Sequence, residues 1–348
     1  MRKYSLILIG LFIFNSCSED ESDKPELMAP TLELVSDKQH GNVLFDDATF
    51  IFTVTDDGQN VTSFVKIYVN NMEINGNTFI AETEGTYYVI AKKGNEISNE
   101  ISIQVDHTAK FGHKVILEDF TQVICPGCPF AVNGINNLMS ITDQVIPITI
   151  HVHYSPIQFV IPESAALFFD YLHFTGLPTL YVNRTAKWLY PFDESVENYP
   201  LNFAKPNSDI GISINSNFNE NEKTIQVKFA FSEIPSTQYY YTIMILENHL
   251  IYPQSNGSDL FGGQNPIPDF EHNHVLRGFT TTDITGDVLP MGNMQDNVVT
   301  INVQNPYIYE YENMDNLEII AYIMDEDGKI LTGQRAPVNT LQKFEFIY

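Results

Sequence analysis

Two cysteines three residues apart, Cys125 and Cys128 in "ICPGCPF", are the pair in this sequence whose type and spacing suit covalent chemistry. A cysteine at the start of a helix feels the unpaired N–H groups and the positive end of the helix dipole, which favour its thiolate. Pro126 suits the first helical position, where its missing N–H costs nothing, and Gly127 leaves the first sulfur uncovered. The second sulfur then lies about one turn further on, close enough to resolve a mixed disulfide formed by the first. Cys125 is therefore the expected attacking thiol and Cys128 the resolving one. The same pair would serve equally as a structural staple. A zinc site is the competing chemistry, with His151 and His153, or His272 and His274, as nitrogen ligands. Structural zinc takes four ligands, however, and a second C-x-x-C is missing. No metal and no cofactor is expected.

Elements must hold this pair in place. "KVILEDF" (114–120) reads as a strand covered on both faces. Phe130, Gly134, Leu138 and Ile141 recur at helical spacing and predict a helix with one narrow apolar face. "QVIPITIHVHY" predicts a second buried strand, "PESAALFFDYLHF" a second helix and "TLYVN" a third strand, an α/β alternation. With these elements in order, the segment resembles the thioredoxin fold. On that resemblance Asp119, six residues before Cys125, is the buried carboxylate that moves protons for the second thiol. Pro178 in "TGLPTLYVN" is the cis-proline that shapes the partner groove beside the disulfide. Ile124 stands where such proteins usually carry tryptophan.

The flanking regions read as β. From Thr31, runs such as "TFIFTV", "FVKIYVN" and "TYYVIAK", cut by "DDGQN" and "INGN", predict a small sandwich. Gly85 and Tyr87 resemble the tyrosine corner of immunoglobulin-like domains, with Thr83 standing where an aspartate is often found. Asp46/Asp47 and Asp56/Asp57 are acidic pairs without the regular spacing of a calcium loop and read as solvated turns. Near the C-terminus "KTIQVKFAF" alternates Ile225, Val227, Phe229 and Phe231 inward, and "YYYTIMILE", "NVVTINV" and "LEIIAYIM" are further strands, with a hairpin turn at Asp327–Gly328. Tyr252 to Asn297 is a long Gly-, Pro-, Asn- and Asp-rich connection of a kind that is uncommon unless it binds something or lies partly disordered.

The expected fold class is multidomain, α/β plus all-β: a lipoprotein signal peptide (1–16), a lipidated acidic tether (17–30), an immunoglobulin-like β-sandwich (31–106), a thioredoxin-like α/β domain (107–205) and a C-terminal β-rich, sandwich-like domain (206–348). The signal rests on Arg2 and Lys3 followed by an apolar run too short to span a bilayer. Its end, "FNSC", resembles a bacterial lipoprotein signal, which implies that Cys17 carries lipid such as palmitate and tethers the chain to a membrane. Lipidation leaves Cys125 and Cys128 to pair with each other or with another molecule, in an oxidising compartment. The following "SEDESDK" resembles the acidic stretch that sends such lipoproteins to the outer face of the outer membrane.

A net charge of −26 with no basic cluster excludes nucleic acid as a partner. No G-x-S-x-G or H-E-x-x-H motif supports a hydrolase. Taken together, the lipid-modified cysteine, the β spacer, "ILEDFTQVICPGCP", "TGLPTLYVNR" and "HNHVLRGF" are similar to the twenty-eight-kilodalton outer-membrane-protein family of Bacteroidetes-type lipoproteins. That resemblance runs from about Lys114 to the C-terminus and implies an outer-membrane location but little about activity; some members have been regarded as adhesins. Two functions stand open. The first is a surface-exposed binding or envelope-assembly accessory protein, with protein partners at the outer membrane. The other is a thiol–disulfide oxidoreductase or redox sensor using Cys125, Cys128, Asp119 and Pro178.

Overall fold

The computed structural model describes residues 32–45, 47–152, 159–161, 176–188, 198–282 and 285–348. Two compact units emerge. The first takes in the described residues up to Asp37 together with Ile51–Thr78 and Tyr88–Ser102. In it the strand Leu32–Ser36 runs antiparallel to the strand Thr49–Asp56, with Leu34 opposite Val54. Leu32, Leu34, Phe52 and Val54 are buried while Glu33 and Val35 face outward, the period of two that half-buried strands require.

The second unit takes in Lys38–Phe50, Phe79–Tyr87 and Ile103–Tyr348. Near its start the Tyr87 hydroxyl donates to the Thr83 carbonyl at 2.8 Å, the bond expected of a tyrosine corner. Its main strands are β1 (Val115–Thr121), β2 (Val145–His151), β3 (Thr179–Val182), β4 (Ala186–Trp188), β5 (Ile210–Phe218), β6 (Lys223–Phe231), β7 (Tyr240–Glu247), β8 (Val275–Phe279), β9 (Asp287–Val288), β10 (Val298–Gln304), β11 (Leu317–Met324), β12 (Ile330–Pro337) and β13 (Leu341–Gln342). Between β1 and β2 lies helix α1, Cys128–Ile141.

Nine of these strands form one mixed sheet in the order β4-β3-β1-β2-β8-β7-β11-β12, with β9 also on β7. β1, β2 and β8 run parallel; the rest pair antiparallel. β10, β6, β5 and β13 make a second, four-stranded sheet. Ile212, Ile214, Val227 and Phe229 of that sheet pack on Ile243, Ile245, Ile319 and Ile323 of the large one. Beside them, Ala131, Ile135 and Leu138 of α1 cover Val115, Leu117, Val145 and Val182. Ile116, Phe120, Ile148, Met244, Leu246 and Tyr322 form a core on the opposite face of the large sheet.

This topology corrects the expected fold class. The protein is mostly β-sheet, and α1 is the one α-helix among the described residues. A thioredoxin-like α/β domain standing apart from a C-terminal sandwich is not what forms. β2 is a sheet edge until β8 pairs with it, Thr149 opposite Val275, and strands from 107–205 and 206–348 then share one sheet and one core. An open edge of unpaired N–H and C=O groups invites that completion, and periodicity within each strand carries no record of it. The expected second helix, 162–174, lies outside the described residues.

The helix differs from expectation in its face and its start. Ala131, Gly134, Ile135 and Leu138 are buried, whereas Ile141 is exposed and Phe130 half-buried. The helix begins at Cys128 with Gly127 as its cap, and it is Pro129 that occupies the first turn. Pro126 sits in the preceding turn.

Candidate functional site

β1 delivers its C-terminal end to a tight turn. Cys125 N–H donates to Gln122 O at 3.1 Å and Cys128 N–H to Cys125 O at 3.2 Å, which folds 122–128 back on itself before α1 begins. Cys125 and Cys128 form a disulfide with Cα atoms 5.4 Å apart. Cys125 keeps 5% of its surface accessible and Cys128 1%, so the first sulfur is the more reachable. Exposed Ile124 and Pro126 flank it.

Strand alternation puts Asp119 in phase with Val115 and Leu117, on the face that α1 covers. It is completely buried, and neither carboxyl oxygen has a hydrogen-bond partner among the described residues. Burial raises its pKa from the ordinary 3.8 to about 7, because an ion without water or donors is costly. Pro178 follows a cis peptide bond after Leu177. Thr179 pairs with Phe120, so Pro178 lies level with the end of β1, where the cysteine turn begins. Cys125, Cys128, Asp119 and Pro178 therefore gather at one end of the sheet. Cys17, Asp46 and His153 lie outside the described residues.

The lid on this turn comes from far along the chain. From the other half of the unit, residues 254–257 lay donors on it: Ser255 N–H on Val123 O at 2.8 Å, Gly257 N–H on Pro126 O at 2.8 Å, and the Gln254 amide on Cys125 O at 3.0 Å. Asn256, also buried, holds the loop in shape by accepting from Ser258 and donating to Leu260 O. Residues 254–257 of the long connection 252–297 are thus an ordered cover on the turn.

The model of the family of outer membrane protein Omp28 matches residues 165–342, just over half of the chain. The chain belongs to the Omp28 family. HBP35 of Porphyromonas gingivalis is similar in fold, with a TM-score of 0.54 and 18% identity over 67% of this chain and 77% of that one. A protein of Agrobacterium tumefaciens aligns at a TM-score of 0.39 and 9% identity, over 66% of this chain and 96% of that one. No curated protein matches the chain. No helix among the described residues is long and apolar enough to cross a membrane.

The Omp28-matched segment contains Pro178, the 254–257 cover and two arginines that sequence reasoning passed over; the cysteines precede it. Arg184, in the β3–β4 turn, donates to Glu118 at 2.9 and 3.0 Å and to the Tyr322 hydroxyl at 2.7 Å, all deeply buried. Arg277 of β8 meets Glu247 at 2.7 Å with both side chains fully buried. A cation inside an apolar strand, as in "VLRGF", was the available signal, since a charge there must be paired.

Among the described residues, His151, His272 and His274 form no ligand cluster. His151 and His272 have ring centres 5.3 Å apart. Burial holds both in the neutral form, His272 at about 4 and His151 well below the usual value. His274 instead hydrogen-bonds Glu318 at 2.6 Å. Glu318 keeps a lowered pKa: burial pushes it up, but the bond and charge of His274 outweigh that. No group of three or more metal-ligating side chains occurs among the described residues.

Proposed function

We propose that this outer membrane protein is anchored by lipid on Cys17, faces the cell exterior, and acts on envelope partner proteins by exchanging its Cys125–Cys128 disulfide with their thiols. The observation that carries this reading is Asp119, a completely buried carboxyl near the end of the strand that leads into the disulfide turn, with no hydrogen-bond partner among the described residues and a pKa of about 7. A group that is half protonated at working pH can both give and take a proton.

The step balances without a further reagent. A partner thiolate attacks Sγ of Cys125, the S–S bond breaks, and the electron pair leaves on Cys128, which takes the Asp119 proton. A second partner thiol then attacks the partner's own sulfur in the mixed disulfide and expels Cys125. The partner is oxidised by two electrons and the cysteine pair reduced by two. Run in reverse, Asp119 accepts the proton of Cys128. Pro178, level with the end of β1, would shape the groove in which the partner chain lies.

A second reading treats the disulfide as a permanent staple in a binding or envelope-assembly protein. Near-complete burial of both sulfurs and the bonds from residues 254–257 favour it. One experiment separates the two. The purified chain is equilibrated in glutathione buffers of graded potential, and Cys128→Ser is used in cells to trap mixed disulfides for mass spectrometry. Reduction within the range of biological thiols, with partners trapped on Cys125, supports exchange. Resistance to all such buffers with no trapped partner sinks it and leaves the staple.

A further inference from the structure

The loop over the cysteine turn does more chemistry than a cover needs. We propose that Gln254 is a positioning residue for Cys125, and that the loop 252–270 belongs to the thiol-exchange site. This rests on reading Cys125–Cys128 as an exchanging disulfide.

Four carbonyl oxygens of the turn, those of Gln122, Val123, Cys125 and Pro126, accept hydrogen bonds from three residues of the loop, Gln254, Ser255 and Gly257. The Gln254 amide nitrogen shares its hydrogens between Cys125 O at 3.0 Å, Gln122 O at 3.3 Å and its neighbour Ser255 O at 3.1 Å. Ser255 N–H takes Val123 O and Gly257 N–H takes Pro126 O, each at 2.8 Å. Gln254 is only 2% exposed, and its own backbone is fixed by two bonds to Ile267, at 3.0 and 2.8 Å. An amide buried this deeply on the backbone of an active turn, from a segment about 130 positions later in the chain, is an expensive arrangement unless the turn must be held.

The electrostatic consequence falls on the sulfur. Carbonyl oxygens are the negative ends of their dipoles, and those of the turn that carries Cys125 disfavour a thiolate forming on it. Donors that draw on those oxygens remove part of that charge and aim the carbonyls toward the loop. The N–H groups at the start of α1 then dominate the field at the sulfur. Gln254 thus lowers the cost of the Cys125 thiolate without touching a partner. Gly257 eases the approach: a Cβ there would stand 3.1 Å from Pro126 Cβ and 3.3 Å from its carbonyl oxygen, tight enough to push the two segments apart by a small amount.

The test is the pH profile of Cys125 alkylation in the reduced full chain, read by peptide mass spectrometry. Gln254→Met keeps the volume and removes the donors; Gly257→Ala lifts the loop without altering Gln254. For each variant, alkylation at about pH 6 is expected to slow by roughly three- to tenfold, with the midpoint displaced upward. A merely structural role would lower the melting temperature and leave the profile in place. Superimposable profiles in either folded variant overturn the positioning role while leaving the exchange reading intact. A wild-type Cys125 that titrates like a free cysteine, near about 8.5, removes the exchange reading itself and this inference with it.

Discussion

Asp119 concentrates the chemistry of the site into one group, and its energetics have a defined sign. The folded state holds the proton up to about pH 7, whereas the unfolded carboxyl loses it near the ordinary 3.8. The native state therefore binds more protons across that interval. The contribution to stability is complete below about pH 4 and is lost as pH rises to about 7, a change on the order of 4 kcal/mol from a shift of roughly three units. Asp119→Asn is expected to flatten that dependence in urea unfolding followed from pH 4 to 8, leaving the variant more stable than wild type at the alkaline end. The same substitution should slow thiol release from Cys128. A wild-type curve already flat over this range would mean that Asp119 is ionised in the fold. Cys125 and Cys128 were legible as types at a spacing, and Asp119 through the resemblance to the thioredoxin fold. Gln254 was not, because a glutamine acquires meaning only from the carbonyls it reaches.

At the scale of the element, α1 shows what periodicity can and cannot assign. The sequence pattern marked a helix and put Phe130 and Ile141 on its apolar face, yet the buried positions are Ala131, Gly134, Ile135 and Leu138. An apolar residue at either end satisfies a helical template whether or not a neighbouring strand covers it, and β1, β2 and β3 cover only the middle. Leu138→Ala is thus expected to cost about 2–5 kcal/mol, while Ile141→Ala should stay within about 0.5 kcal/mol in denaturant unfolding. Equal losses would restore the face drawn from the sequence. The start of α1 shifted for a related reason. Either Pro126 or Pro129 fits the first helical turn, and the backbone bonds of the 122–128 turn decided for Pro129.

The whole molecule is organised by a sheet that local pattern could not foresee. β2 has parallel neighbours on both sides, β1 from the same βαβ unit and β8 from more than a hundred residues later. Met244, Leu246, Tyr322 and Met324 share a core with Ile116, Phe120 and Ile148. Residues 107–205 produced alone should therefore fail to give a cooperative unfolding transition or dispersed amide resonances, since half of that core and the pairing edge of β2 would face water. A well-dispersed spectrum from the fragment would show that it folds independently, and that the shared sheet is a docking of two finished parts.

The C-x-x-C spacing was sufficient to set Cys125 and Cys128 together, and the order of motifs resembled the outer-membrane family to which the chain belongs, because both lie in residue types and short spacings along the chain. Which strands join, which face of α1 is covered, why Arg184 and Arg277 are buried and what lies over the cysteine turn depend on contacts between residues far apart in sequence. Such contacts are selected by the burial and hydrogen-bond satisfaction of both partners at once. Neither segment records the other, so only the tertiary structure decided them.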